Sequence, residues 1–167
     1  MSGLEFVSPG LARTESGFAP VRRSPLERAL RDAPPGIRDL SQTGKLDVRG
    51  GLEGEELGDG VEVVRITPER ALLLCPAEEV SRHLEQLCAR AYSVADLTSA
   101  LAGLQVTGEQ LLRRLTDLDL DALPAVGAVA RTPATLLRDG ERFSFFFPQE
   151  YADHTAEVVL DTAAGLR

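Results

Sequence analysis

Tryptophan is absent from this chain, and lysine occurs once, at Lys45. Aromatic residues make up 5%, too few for a surface that stacks successive bases. The formal charge is −8, and the arginines are scattered among acids. Binding a phosphate backbone needs clustered cations, so nucleic acid is excluded as the main partner. Long hydrophobic runs are missing too. Stretches such as Ala71 to Cys75 fall far short of the ~20 apolar residues of a membrane span. Met1 to Arg13 has no basic cluster followed by an apolar stretch, so no secretory leader is read and a cytoplasmic location is expected. The two cysteines, Cys75 and Cys88, are then expected to stay reduced, as buried thiols acting as small hydrophobes.

The motifs of familiar reaction centres are equally scarce. Zinc sites need closely spaced Cys and His ligands, but His83 and His154 fall on different helices without HExxH spacing. Both histidines read as helix-surface residues. The alternation Asp117-Leu118-Asp119-Leu120-Asp121 lacks the Gly at the sixth position and the Glu at the twelfth that a calcium loop needs, since Ala122 and Ala128 stand there. It reads as a solvated helix terminus with its leucines inward. The Gly-rich stretch from Gly50 to Gly60 carries neither the Lys-Ser/Thr of a phosphate loop nor a GxGxxG fingerprint. No GxSxG is present, and neither cysteine has a His at a recognised spacing. The carboxylates lie in charged, solvated contexts where pKa tuning is difficult. No catalytic, cofactor-binding or metal-ligating residue is assigned.

What is present suits a folded domain, with 43% apolar residues in 167. Residues 1–24 show no helical or strand period, yet carry Phe6, Val7, Leu11 and Phe18. That composition predicts an extended arm ordered on a partner surface, with those four residues making the contact. Ser24, Pro25 and Glu27 then announce a helix carrying Leu26 and Leu30, which Pro34 and Pro35 stop. Extended segments follow at 36–41 and 45–50, then the acidic loop GLEGEELGDG at 51–60. Val61 to Thr67 and Ala71 to Cys75 read as a strand pair across a turn at 68–70. Pro76 opens a helix with Val80, Leu84, Leu87 and Cys88 on one face.

The same order then recurs. Strands are expected at 94–98 and 101–107, and Thr107 with Gln110 forms a capping box for a helix bearing Leu111, Leu112, Leu115 and Leu118. Residues 125–137 hold one or two strands, Asp139-Gly140 marks a hairpin, 142–147 is its return strand, and 151–164 is the last helix. Four matches tie the copies together. Asp39-Leu40-Ser41 and Asp96-Leu97-Thr98 stand 57 apart, and Leu46-x-Val48-x-Gly50 and Leu104-x-Val106-x-Gly108 stand 58 apart. Arg65-Ile66-Thr67-Pro68 and Arg131-Thr132-Pro133 are aligned at 65, and Glu69-Arg70 and Glu141-Arg142 at 72. The chain is therefore read as an α+β protein of two diverged copies, mostly antiparallel sheet with helices packed on it. Residues 25–167 form one domain, built from pseudo-repeats 36–90 and 93–166. Asp39 and Asp96 are structural, at strand ends.

GIRDLSQTGKLDVRG at 36–50 resembles the opening of the glycine-cleavage T-protein (aminomethyltransferase) superfamily. VADLTSALAGLQVTGEQLLRRLTDLDLDALPAVGAVART at 94–132 is similar to the γ subunit of heterotetrameric sarcosine oxidase. The resemblance implies a small non-catalytic α+β subunit beside flavoprotein oxidase subunits, in a complex that demethylates sarcosine or a similar N-methyl amine. FAD, FMN, NAD and tetrahydrofolate would then sit on partner subunits. The superfamily's folate enzymes carry a Gly-rich turn with an acidic pair after the strand corresponding to 126–132. This chain has PATLLRDGERF there, with Asp139 at the hairpin, a departure that speaks against independent aminomethyl transfer. The alternatives are a freestanding folate-binding aminomethyltransferase-like protein, or a lone protein–protein adaptor.

Overall fold

Side chains alternate across a strand, so a strand with apolar residues on both faces must be covered twice. Two strands here illustrate that condition. In Arg70–Cys75, Ala71, Leu73 and Cys75 join one buried cluster while Leu72 and Leu74 join another. In Arg142–Pro148, Phe143, Phe145 and Phe147 face one core while Phe146 faces the second. The computed structural model, which describes residues 23–50 and 60–166, resolves this demand into stacked layers.

The strands are β1 (Ile37–Asp39), β2 (Gly44–Arg49), β3 (Glu62–Thr67), β4 (Arg70–Cys75), β5 (Ser93–Asp96), β6 (Leu101–Thr107), β7 (Ala125–Val129), β8 (Thr132–Asp139) and β9 (Arg142–Pro148). The helices are α1 (Val80–Cys88), α2 (Glu109–Leu112) and α3 (Ala152–Ala164), with a 3-10 turn entering α1 and another entering α3. One sheet runs β1-β6-β9-β8-β7 and the other β3-β4-β2-β5, with every described pair antiparallel. Ala152, Ala156 and Val159 of α3 pack on the phenylalanines of β9, and Val80 and Leu87 of α1 pack on β2 and β4. Val64, Leu72, Leu74, Leu137 and Phe146 fill the space between the sheets.

The two halves exchange their first strands. β1 pairs with β6 of the other half, and β5 pairs with β2. The registers coincide: Ile37 opposes Val106 as Val94 opposes Val48, and Asp39 opposes Leu104 as Asp96 opposes Leu46. The hydrogen bonds at the crossing are duplicated too. Asp39 accepts from Ser41 N–H and Asp96 from Thr98 N–H, both at 2.8 Å. Leu40 N–H donates to Gly103 O and Leu97 N–H to Lys45 O, again both at 2.8 Å. The Ser41 hydroxyl accepts from Gly103 N–H at 3.2 Å, and the Thr98 hydroxyl from Lys45 N–H at 3.0 Å. Each half thus satisfies buried backbone groups of the other, which leaves neither half complete alone.

Several sequence expectations need correction. Residues 25–32 form successive turns rather than a regular helix, although Ser24 Oγ does accept from Leu26 N–H at 3.0 Å and Leu26 is fully buried. Thr107 belongs to β6, and α2 is entered through Gly108 at φ +101 with no side-chain cap, so the capping box does not form. The aligned Arg65-Ile66-Thr67 and Arg131-Thr132 occupy opposite ends of β3 and β8. By register Thr67 corresponds to Asp139, since both oppose the arginine that starts the return strand. Residues 117–121 form an irregular segment with a bend at Leu118 and a turn at Leu120 and Asp121 rather than a helix terminus, with Leu120 buried and Asp119 Oδ1 accepting from Asp121 N–H. The loop at 51–59 lies outside the described residues.

Replacing either crossing hydroxyl, Ser41→Ala or Thr98→Val, leaves a buried backbone N–H without its acceptor. Each is expected to lower unfolding free energy by about 1–3 kcal/mol in urea titration, with a similar size in the two halves.

Candidate functional site

The polar residues of β2 and β6 do not point to water. Lys45 and Asp47 alternate with Leu46 and Val48, and Gly103 and Gln105 alternate with Leu104 and Val106. In an isolated sheet that polar face would be solvated, but here the second sheet covers it. Lys45 is consequently fully buried. Its ammonium donates to Ser41 O and Thr43 O, both at 2.7 Å, and lies 5.7 Å from the Phe146 ring centroid. Buried charge is tolerated only with such partners. The equivalent position in the second half is Gly103. A Cβ there would come within 2.8 Å of Phe146 and 3.0 Å of Leu40 O. Near the crossing there is room for one long side chain, and the first half supplies it.

Beside this layer opens a cleft of about 550 Å³ that draws on both halves. Leu74, Leu137 and Phe146 line it as apolar wall, while Gln42, Gln105, Ser144 and Arg138 supply polar groups. Gln105 Nε2 donates to Ser144 Oγ at 3.2 Å. Arg138 donates to Gly140 O and pairs with Glu109 at 3.1 Å and Asp121 at 3.4 Å. The hydrogen bond from Arg113, then the charges of Arg113 and Arg138, hold the Glu109 carboxyl below the usual carboxylate range. Arg138 is therefore committed to framing the cleft.

Cys75 also lines the cleft. Burial, then the carboxylates of Glu79 and Asp96, push its thiol above the ordinary range, so the neutral thiol is favoured. The group is a poor nucleophile, as its reading as a small hydrophobe requires. Cys88, expected to be buried, is exposed. His83, expected on the surface, is 1% exposed. Its Nε2 lies 3.2 Å from Glu79 Oε2, and Nδ1 has no partner among the described residues. His154 is exposed, as expected. Among the described residues no group of three or more His, Cys, Asp or Glu could hold a metal ion, and no helix is long and apolar enough to cross a membrane. The four arm residues Phe6, Val7, Leu11 and Phe18 lie outside the described residues.

The arrangement sets a hydrogen-bonded amide and hydroxyl, with the carboxylates of Glu62, Glu78 and Asp139, against an aromatic and aliphatic wall. Sequence reasoning missed Gln105, Ser144 and Lys45 as members of one layer. The available signal was the strict alternation of GKLDVR, whose polar face needed a second sheet above it. A thiol assay follows from the cysteine environments. Cys88 is expected to react with a disulfide reagent at pH 8 at least about tenfold faster than Cys75, because Cys88 is exposed while burial both shields the Cys75 thiol and keeps it protonated. Equal rates in the native protein would contradict this.

No protein-family model matches the sequence, and no curated protein matches it by sequence. Solved structures do match in shape. A chain of the heterotetrameric sarcosine oxidase from Corynebacterium sp. U-96 in complex with pyrrole 2-carboxylate superposes with a TM-score of 0.67 at 20% identity, over 86% of this chain and 95% of that one. The glycine cleavage system aminomethyltransferase T from Bartonella henselae gives 0.57 at 17% identity, over 81% of this chain and 48% of that one, so this chain spans about half of it. The aspartokinase α and β subunits give 0.51 at 14% identity, over 79% and 99%. At these identities the likeness is one of fold, and the α+β fold of this chain is shared with chains from a heterotetrameric sarcosine oxidase and an aminomethyltransferase.

Proposed function

We propose that this chain is a non-catalytic subunit of a folate-linked amine oxidase assembly, the counterpart of the γ subunit of heterotetrameric sarcosine oxidase. The observation that carries this reading is the likeness to the sarcosine oxidase chain, which spans 86% of this chain and 95% of that one rather than a shared fragment. The chemistry of the cleft supports it. Its thiol is held above the ordinary range, its arginine is engaged in ion pairs, Gln105 and Ser144 are bonded to each other, and Gln42, Thr43, Glu62, Glu78 and Asp139 complete its polar lining. Such groups bind and position, and the flavin, nicotinamide and tetrahydrofolate chemistry belongs in this reading to partner flavoprotein subunits. The apolar residues Phe6, Val7, Leu11 and Phe18 supply partner contacts, as aromatic anchors do in many interfaces.

Purifying the tagged full-length chain from its native cells, followed by an absorbance scan, tests the proposal. The expected result is co-purifying polypeptides in fixed ratio, a flavin spectrum, and peroxide release from an N-methyl amine only when those polypeptides are present. Deleting residues 1–20 is expected to weaken co-purification without lowering the melting temperature of the isolated chain. A chain that elutes alone and binds tetrahydrofolate in calorimetry would contradict the proposal and favour a freestanding folate-binding protein.

A further inference from the structure

The duplication provides an internal control for the chemistry at the ends of the two equivalent hairpins. In the second half, Asp139 at the end of β8 opposes Arg142 and forms an ion pair with it. In the first half, Thr67 opposes Arg70, so Arg70 lacks that cross-strand acid. Two neighbours have changed as well. Arg49 stands where the second half has Thr107, and Asp47 stands where it has Gln105, as the matched registers of β2–β4 and β6–β9 establish. The backbone has not changed with them. Gly50 at φ +69 donates to Glu69 O at 2.7 Å, and Gly108 at φ +101 donates to Glu141 O at 2.9 Å.

One nearly buried carboxylate therefore faces two guanidiniums. Asp47, with its side chain 11% exposed, takes Arg70 Nε at 2.7 Å and Arg49 Nε at 3.5 Å. Both arginines approach Asp47 through Nε, and their side chains are 57% and 42% exposed, which leaves the guanidinium ends open to solvent. The two residues line a cavity of about 440 Å³ together with Gly50, Thr67, Glu69 and Tyr92. Tyr92 is 92% exposed, the largest exposure among the exposed large apolar side chains described. Asp47 balances one of the two positive charges, and Glu69, exposed at the rim of the same cavity, offsets the other.

The geometry points to a carboxylate-binding site between Arg49 and Arg70, with Tyr92 beside it to take the ligand's carbon skeleton. Planar guanidinium forks match a planar carboxylate in two parallel hydrogen bonds. On a chain of charge −8, the two neighbouring guanidiniums offer directed donors to an acidic group, with Glu69 as the competing carboxylate. The source is either a small free carboxylate or a Glu or Asp side chain of a partner polypeptide. The inference does not rest on the proposed subunit role.

Isotope-labelled full-length protein is titrated at low ionic strength with glutarate, and separately with acetyl-tri-glutamate amide, while the amide signals of Gly50, Arg70 and Tyr92 are followed. Glutaramide is the uncharged control. Saturable shifts at those amides with a Kd at or below about 10 mM are expected, with none from glutaramide. Thr67→Asp installs in the first half the acid that the second half already carries, leaving both arginines in place. It is expected to weaken binding about fivefold, as is Arg49→Gln, whereas Glu69→Gln tightens it about twofold. Melting temperatures of the variants establish that the fold is intact. Tripeptide affinity at least about tenfold above that of glutarate assigns the site to a partner's acidic segment, and equal or lower affinity assigns it to a free ligand. Absence of saturation with both probes, equal shifts with glutaramide, or undiminished binding by a folded Thr67→Asp variant would overturn the inference.

Discussion

The structure depends on the exchange of hydrogen bonds where each half's first strand crosses into the other half's sheet. At that crossing, Leu40 N–H reaches Gly103 O while Leu97 N–H reaches Lys45 O, and the hydroxyls of Ser41 and Thr98 take the amides of those same two residues. Buried backbone groups must be paired, so these bonds couple the sheets beyond the apolar contacts between them. The crossing also explains the asymmetry of its occupants. Identical long side chains at equivalent positions would collide there, and the copies have diverged to Lys45 on one side and Gly103 on the other.

Much of this was legible in the sequence, because its signals were local and periodic. The short apolar runs of β4 and β9, the Asp139-Gly140 turn and the offsets of 57, 58 and 72 all express backbone geometry that a short segment fixes by itself. The failures share a different cause. On α1, His83 lies about 40° around the helix from the buried Leu87 while Cys88 lies about 100° away, so geometry buries the polar residue and exposes the thiol. A reading by residue type assigns them the other way. The β7–β8 turn puts Ala130 and Arg131 at φ 50 and 63, a conformation that usually announces itself with Asn or Gly and here does not. Thr107 had the composition of a cap but was already committed to pairing with Arg142 in β6.

The candidate site was less legible than the fold, since it is made by two sheets meeting and no single segment encodes that meeting. Gln105 and Ser144 are 39 residues apart, and Leu74 and Leu137 come from different halves. A polar alternation in a strand is ordinarily read as a solvent face, and covering it turns solvated residues into a hydrogen-bonding layer. Divergence between copies is then the better guide to function than either copy alone. Positions kept in both halves, such as Asp39 with Asp96 and Gly50 with Gly108, maintain the scaffold. Positions that differ, such as Arg49 with Thr107, are where the two halves can carry different chemistry on the same backbone.

Native-state hydrogen exchange tests most directly whether the exchanged strands make one cooperative unit. The amides of Leu46 and Val48 in one sheet, and of Leu104 and Val106 in the other, are expected to open together with the free energy of global unfolding. Exchange of the β3-β4-β2-β5 sheet at a clearly lower free energy, with the β1-β6-β9-β8-β7 sheet still protected, would mean that the two sheets open independently and that the crossing does not bind them.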